Sequence, residues 1–150
     1  MAADLNDFIN DKFGIEAQDI RTYSPLTLAY IGDAVFDLVI RSVLVNKGNT
    51  AVNNLHKKAS AIVKAPTQAA IAAAIMDDLT DEERDIYRRG RNSKPHTKAK
   101  NASTMEYLEA TGFEAVIGFL YLSGDMERAL WLVRIGCERL GIGLAGDDRK

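Results

Sequence analysis

The sequence predicts an all-α protein, and three observations carry that prediction. Apolar residues recur at helical spacing, with Val, Ile and Phe inside that spacing rather than in the period-two alternation of strands. Helix-start signals stand ahead of the apolar runs at Ser24-Pro25, Thr80-Asp81-Glu82-Glu83 and Ser103-Thr104-Met105-Glu106. Stop signals follow at Gly48, Gly124 and Gly141.

The elements follow in order. Ser24 caps, and Pro25 opens, a helix of about six turns that Gly48 stops. Asn49 or Thr50 caps the next, from Ala51 to Lys64, and Pro66 opens another that runs to about Met76. The capping boxes at Thr80 and Ser103 begin two more, the second long and ending at Gly124. Asp125 caps a last helix to about Gly141, and residues 146–150 are expected to fray. Met76, Met105, Met126 and Trp131 fall at apolar helix positions and are expected in the core.

The 150 residues make one domain, 1–150, and can bury a core without staples. Cys137 is the only cysteine, so no internal disulfide exists and a reducing compartment fits. With His56, His96 and Cys137 alone, no tetrahedral zinc site can assemble, so any metal must be a hard, oxygen-liganded cation. The start of the chain lacks a secretory pattern, and Asp33, Asp37 and Arg41 interrupt the most apolar window, Leu26 to Val45. A cytoplasmic protein with no membrane partner is expected.

The net charge of −2 hides strong segregation. Leu38 to Met76 holds no acid and five bases, among them Lys57 and Lys58. Ile86 to Met105 holds no acid and six: Arg88, Arg89, Arg91, Lys94, Lys98 and Lys100. Gly90 and Pro95 predict a basic loop there, suited to duplex phosphates or the shallow RNA minor groove. Solvated helix faces would give the same composition. Few aromatics are interleaved, which argues against single-strand stacking.

Two carboxylates stand where carboxylates are costly. Asp33 lies in Leu28-Ala29-Tyr30-Ile31-Gly32-Asp33-Ala34-Val35-Phe36, and Glu114 in Thr111-Gly112-Phe113-Glu114-Ala115-Val116-Ile117-Gly118. A buried carboxylate needs a cation, a set of donors, or a place at the core's edge. If the two helices pack side by side, both acids could share one Mg²⁺, which keeps several waters and accepts two carboxylates. Alternatively, Asp33 pairs with a base such as Arg41, and Glu114 bonds to a helix end. Gly32 and Gly112, costly inside helices, suggest close approach of another backbone or a ligand. Asp37 and Arg41 are set for an i,i+4 ion pair, and His56, beside Lys57 and Lys58, for RNA contact or plain exposure.

These motifs resemble the nuclease domain of the ribonuclease III family. Leu28 to Val35 is similar to that family's signature helix with its Gly-Asp step, and Phe113 to Gly118 to its second acidic motif. Arg89-Gly90-Arg91-Asn92-Ser93-Lys94 and Ala110 to Ala115 resemble its Mini-ribonuclease III branch, which lacks an appended double-stranded-RNA-binding domain. Of four usual acidic positions only Asp33 and Glu114 are acidic here; Ala29 and Thr111 occupy the others, as in that branch.

The resemblance implies a ribonuclease III-like helical bundle and a Mg²⁺-dependent endoribonuclease acting on double-stranded RNA, with the large-subunit (23S) ribosomal RNA precursor as substrate. It implies Asp33 and Glu114 as catalytic metal ligands and a homodimer in which Tyr30 inserts into the partner. No small-molecule cofactor beyond the metal is expected. The alternatives are a structured-RNA-binding protein of this fold that does not cut, and a helical interaction protein without an RNA partner.

Overall fold

The computed structural model describes residues 4–93 and 104–144. Within them the chain forms seven α-helices and no strand: α1 (Leu5–Phe13), α2 (Pro25–Asn46), α3 (Val52–Val63), α4 (Ala65–Ile75), α5 (Asp81–Arg91), α6 (Thr104–Leu122) and α7 (Met126–Arg139). Short 3-10 turns at Ile20–Thr22 and Met76–Asp78 complete the path.

The middle helix by burial is α6. From Ala110 to Tyr121 every residue but Glu114 is buried, as expected of a helix apolar on all sides. It packs against α2, α5, α4 and α7. The α2–α6 crossing is a backbone-to-backbone contact: a Cβ on Gly32 would stand 1.8 Å from the Glu114 carbonyl oxygen, and one on Gly118 1.9 Å from that of Leu28. Beside it, Phe36 meets Phe113 edge-to-face at 5.1 Å. Gly90 of α5 and Gly112 of α6 make a second close crossing, where a Cβ on Gly90 would lie 3.0 Å from the Gly112 Cα. The glycine pairs therefore exist to let backbones approach.

Most helix starts match the sequence signals. Ser24 Oγ accepts from the Thr27 N–H at 3.2 Å, Thr80 and Glu83 close a reciprocal capping box, and Asp125 accepts from the Arg128 N–H at 3.2 Å. The cap of α3 differs: Ala51, not Asn49 or Thr50, is the N-cap, and no side chain caps it. Helix α1 was not among the expected elements. Asp4 caps it through a capping box with Asp7, and Gly14 (φ 64°) ends it, yet none of its residues is fully buried.

The basic loop expected at Arg88 to Lys100 is corrected in part. Arg88, Arg89 and Arg91 lie in the last turn of α5, because Gly90 packs against α6 and continues the helix instead of breaking it. Lys94, Lys98 and Lys100 lie outside the described residues. Met76 and Met126 pack on the core as expected, but Met105 and Trp131 do not. Met105 is 49% exposed and accepts from Arg91, while Trp131 is 44% exposed with the Arg128 guanidinium 5.1 Å over its ring.

Arg128 also ties α7 to α5. It donates to Glu83 through Nε and Nη2 at 2.9 and 2.8 Å and to the Asp78 carbonyl at 2.6 Å. Glu83 is buried, so its charge is compensated in the bidentate geometry that suits guanidinium and carboxylate. No single helix among the described residues is long and apolar enough to cross a membrane.

Candidate functional site

The α2–α6 crossing brings the two singled-out carboxylates together. Gly32 sits on the Glu114 backbone, and the next residue, Asp33, reaches the Glu114 side chain. Asp33 is exposed and Glu114 half-buried, so the pair occupies the core's edge and opens to solvent on one side. Among the described residues neither acid takes the ion pair or helix-end bond considered from sequence. Arg41 instead pairs with Asp37 at 3.1 Å, as the i,i+4 spacing predicts.

Glu114 is pushed up to about 8, first by desolvation, then by hydrogen bonding and charge repulsion with Asp33. The Gln68 amide pulls the other way by hydrogen bonding to the charged form. At neutral pH the metal-free Glu114 carboxyl therefore keeps its proton. A hard divalent cation can replace it, stabilising both carboxylates as anions. No group of three or more His, Cys, Asp or Glu side chains converges for a metal among the described residues, so any cation here keeps ligands other than charged side chains.

Gln68 is the residue that sequence reasoning missed. It projects from α4, is only 2% exposed, and donates Nε2 to the Val63 carbonyl at 2.7 Å. Its Oε1 is buried and accepts no hydrogen bond from the described residues. The available signal was the one used for the acids: a polar side chain alone on an apolar stretch, Ala65-Pro66-Thr67-Gln68-Ala69-Ala70-Ile71. An orphaned oxygen on the amide that acts on Glu114 fits a site for a hard cation or its water.

The usually acidic positions are filled as the sequence states. Ala29 is buried, and Thr111 is buried with its hydroxyl donated back to the Tyr107 carbonyl at 3.0 Å. The hydroxyl oxygen can still accept a bond from water.

Lys57 and Lys58 are exposed on α3, with His56 exposed beside them. Arg88 and Arg89 are exposed on α5, and Arg91 is half-buried. The α5 arginines are less free than their acid-free stretch suggested: Arg88 pairs with Asp85, one turn back, and Arg91 Nη2 donates to Met105 Sδ at 3.2 Å. Helix α3 packs on α2 and α4, and α5 on α6 and α2, so both basic segments adjoin the helix that carries Asp33.

Tyr30, one turn before Asp33, is 81% exposed. Leu26, Leu38 and Val45 are exposed on the same helix. An apolar cavity of about 460 Å³ lies elsewhere, between α2, α7 and the segment after it; Val39, Val43, Leu130, Val133, Cys137 and Ile142 are among its lining. It contains neither carboxylate. Burial pushes the Cys137 thiol up to about 11, so it stays protonated and unreactive there.

Residues 26–125 match the family model described as the ribonuclease III domain. The chain is 47% identical over 122 residues to a protein of Clostridium tetani named Mini-ribonuclease 3, covering 81% of this chain and 80% of that one. It is 49% identical over 107 residues to the protein so named in Symbiobacterium thermophilum, covering 71% and 82%. Among solved structures, a Fusobacterium nucleatum protein superposes with a TM-score of 0.73 at 36% identity, over 83% of this chain and 99% of that one.

Proposed function

The chain belongs to the ribonuclease III family, in its Mini-ribonuclease III branch, and from that membership we propose that it cuts the large-subunit (23S) ribosomal RNA precursor with Mg²⁺ held by Asp33 and Glu114. Its activity is that of a double-strand-specific endoribonuclease, metal-dependent like the rest of the family. The observation that carries the site assignment is the facing of Asp33 and Glu114 across the α2–α6 crossing.

Asp33 and Glu114 hold the cation, and Glu114 gives up its proton as they do so. When bound, the metal activates water and stabilises the charge that develops on the phosphodiester. Hydrolysis leaves 5′-phosphate and 3′-hydroxyl ends. Thr111 and water complete what Ala29 leaves empty of charge. Lys57, Lys58, Arg88, Arg89 and Arg91, with Lys94, Lys98 and Lys100, grip the phosphates and set the register of the duplex.

A homodimer joins two such surfaces, and the work takes place in the cytoplasm. The exposed Tyr30 supports the dimer: an aromatic side chain so bare on a core helix is suited to burial in a partner.

The test is end-labelled double-stranded RNA, and then ribosomal RNA precursor, incubated with and without Mg²⁺ alongside Asp33→Asn and Glu114→Gln. Discrete cuts that require Mg²⁺ and vanish in both folded variants uphold the reading. RNA bound but uncut would favour the non-cleaving alternative.

A further inference from the structure

A glutamine side chain buried in an apolar helix has to be accounted for atom by atom. The Nε2 of Gln68 donates to the Val63 carbonyl at 2.7 Å, one of the last carbonyls of α3 and so without a partner inside its own helix. That bond fixes which end of the amide is which. A flipped amide would set Oε1 against the Val63 oxygen, two acceptors facing each other. The donor end is thus explained as a bond across the α3–α4 break.

The oxygen end is not. Oε1 is buried and has no hydrogen-bond partner among the described residues. Leaving such an atom unpaired is a cost that an apolar side chain of the same shape would avoid. The rest of α4 from Ala69 to Ile75 is apolar, so nothing else in the helix asks for an amide here. The same amide interacts with the Glu114 carboxyl, which in turn interacts with Asp33. Oε1 shares its carbon with the amide nitrogen that bonds toward the charged Glu114 carboxylate, and a neutral oxygen that near a carboxylate is a natural donor for a hard cation or for one of its waters.

We propose that Gln68 completes the metal site: its Oε1 takes the cation or a cation-bound water, while the bond from Nε2 to Val63 holds the amide in place beside Glu114. This rests on Asp33 and Glu114 being the metal-binding pair. The amide supplies an oxygen without adding charge, in a chain where Ala29 and Thr111 stand at positions that are acidic elsewhere in the family. It also couples the basic helix to the acidic site, because Val63 closes the helix that carries Lys57 and Lys58.

The experiment is calorimetric titration of metal-free protein with Mg²⁺, for the unsubstituted chain, Asp33→Asn, Gln68→Met and Gln68→Glu, with thermal melts of each. Methionine fills a similar volume without the amide. Gln68→Met is expected to weaken Mg²⁺ binding about tenfold, the size typical of losing a group that supports a metal site. Its cleavage of double-stranded RNA should recover at correspondingly higher Mg²⁺. Gln68→Glu keeps an oxygen at that position and, protonated on the other, can still donate to the Val63 carbonyl, so it should bind Mg²⁺ about as tightly as the unsubstituted chain.

A purely structural glutamine would lower the melting temperature and leave Mg²⁺ affinity within twofold. That result for Gln68→Met overturns the proposal. Should Gln68→Met fail to fold, Gln68→Glu decides, and tenfold weaker binding there overturns it as well. If the unsubstituted chain and Asp33→Asn bind Mg²⁺ alike, the carboxylate pair itself is misassigned and the proposal falls with it.

Discussion

A Cβ placed on Gly32 would fall 1.8 Å from the carbonyl oxygen of Glu114. No atom can stand there, so α2 and α6 can cross at this separation only if position 32 is glycine. The obstacle is backbone in the mostly buried stretch of α6 from Ala110 to Tyr121 and cannot swing aside. Gly32→Ala is therefore expected to cost about 3 kcal/mol or more, at or beyond the upper end of ordinary overpacking. It should also abolish cleavage, because the residue that moves with Gly32 is Asp33. A melting temperature within a few degrees of the unsubstituted chain would contradict this. Gly14→Ala gives the contrasting case: its Cβ meets nothing, and only the left-handed φ of 64° resists it.

The carboxylate pair predicts a pH dependence whose sign is fixed. Glu114 titrates at about 8 in the folded chain, above its ordinary 4.5, so the fold favours its protonated form. Metal-free stability is then fully present below the ordinary carboxylate range and lost as pH rises through about 8. The loss should be on the order of a few kcal/mol, and Glu114→Gln, which mimics the protonated group, should remove it. Mg²⁺ binding should release a proton across the same window, read as a dependence of calorimetric heat on the buffer's ionisation enthalpy. Denaturant melts that are flat from pH 5 to pH 9 would refute the raised Glu114 carboxyl.

How much of this was legible in the sequence depends on what makes a residue conspicuous. Asp33 and Glu114 stand out because a charge in an apolar helix contradicts its surroundings, and the structure does set them face to face. Gln68 contradicts its surroundings too, but an uncharged amide is easily passed over in a run of alanines. Gly90 misled for the opposite reason. Glycine ordinarily breaks helices, and only the approach of Gly112 from a distant part of the chain shows why it lies inside α5. Helix α1 has Leu5, Phe8, Ile9 and Phe13 at helical spacing, yet it is nine residues long and too short to declare itself. Trp131 is large and apolar, but it lies at the surface under Arg128, whose partner Glu83 is 45 residues away.

That pair gives a stability prediction independent of catalysis. Arg128 is the bidentate partner of the buried Glu83, and its removal would leave a buried carboxylate with no cation and only the Thr80 N–H donating to it. Arg128→Ala is expected to destabilise by about 3–5 kcal/mol, as for other broken buried pairs. Desolvation raises the Glu83 carboxyl, but hydrogen bonds from Arg128 and Thr80 outweigh it and hold the group below its usual range. This contribution is therefore present above the ordinary carboxylate range and lost as pH falls through the lowered value. Denaturant titrations at pH 7 and pH 3 should show the gap between Arg128→Ala and the unsubstituted chain narrowing in acid.

The two basic segments should differ in what they contribute to RNA binding. Lys57 and Lys58 are exposed on α3, whereas Arg88 already pairs with Asp85. Each phosphate neutralised adds about 0.9 to the slope of log affinity against log salt for a duplex such as B-DNA. Replacing both lysines by alanine should lower the slope for double-stranded RNA by about one to two units. Arg88→Ala should change it less, since releasing Asp85 costs part of what the arginine supplies. Equal slopes for the lysine variant and the unsubstituted chain would remove α3 from the RNA surface.

Tyr30 separates the dimer from the fold. Its ring is 81% exposed, so Tyr30→Ala leaves the packing of a lone chain intact and should change its unfolding free energy by less than about 0.5 kcal/mol. If the ring is instead buried in a second copy, the same change removes an aromatic anchor at an interface. Loss of such an anchor typically costs about 2 kcal/mol or more of binding, roughly a thirtyfold weaker dimer. Light scattering after size exclusion, at micromolar protein, should then show a dimer for the unsubstituted chain and a monomer for Tyr30→Ala. Cleavage should fall in parallel with the dimer, because Tyr30 lies one turn from Asp33 and each duplex would meet one carboxylate pair instead of two. A Tyr30→Ala protein that remains dimeric would place the interface on another face and free the α2 surface beside Asp33 for RNA.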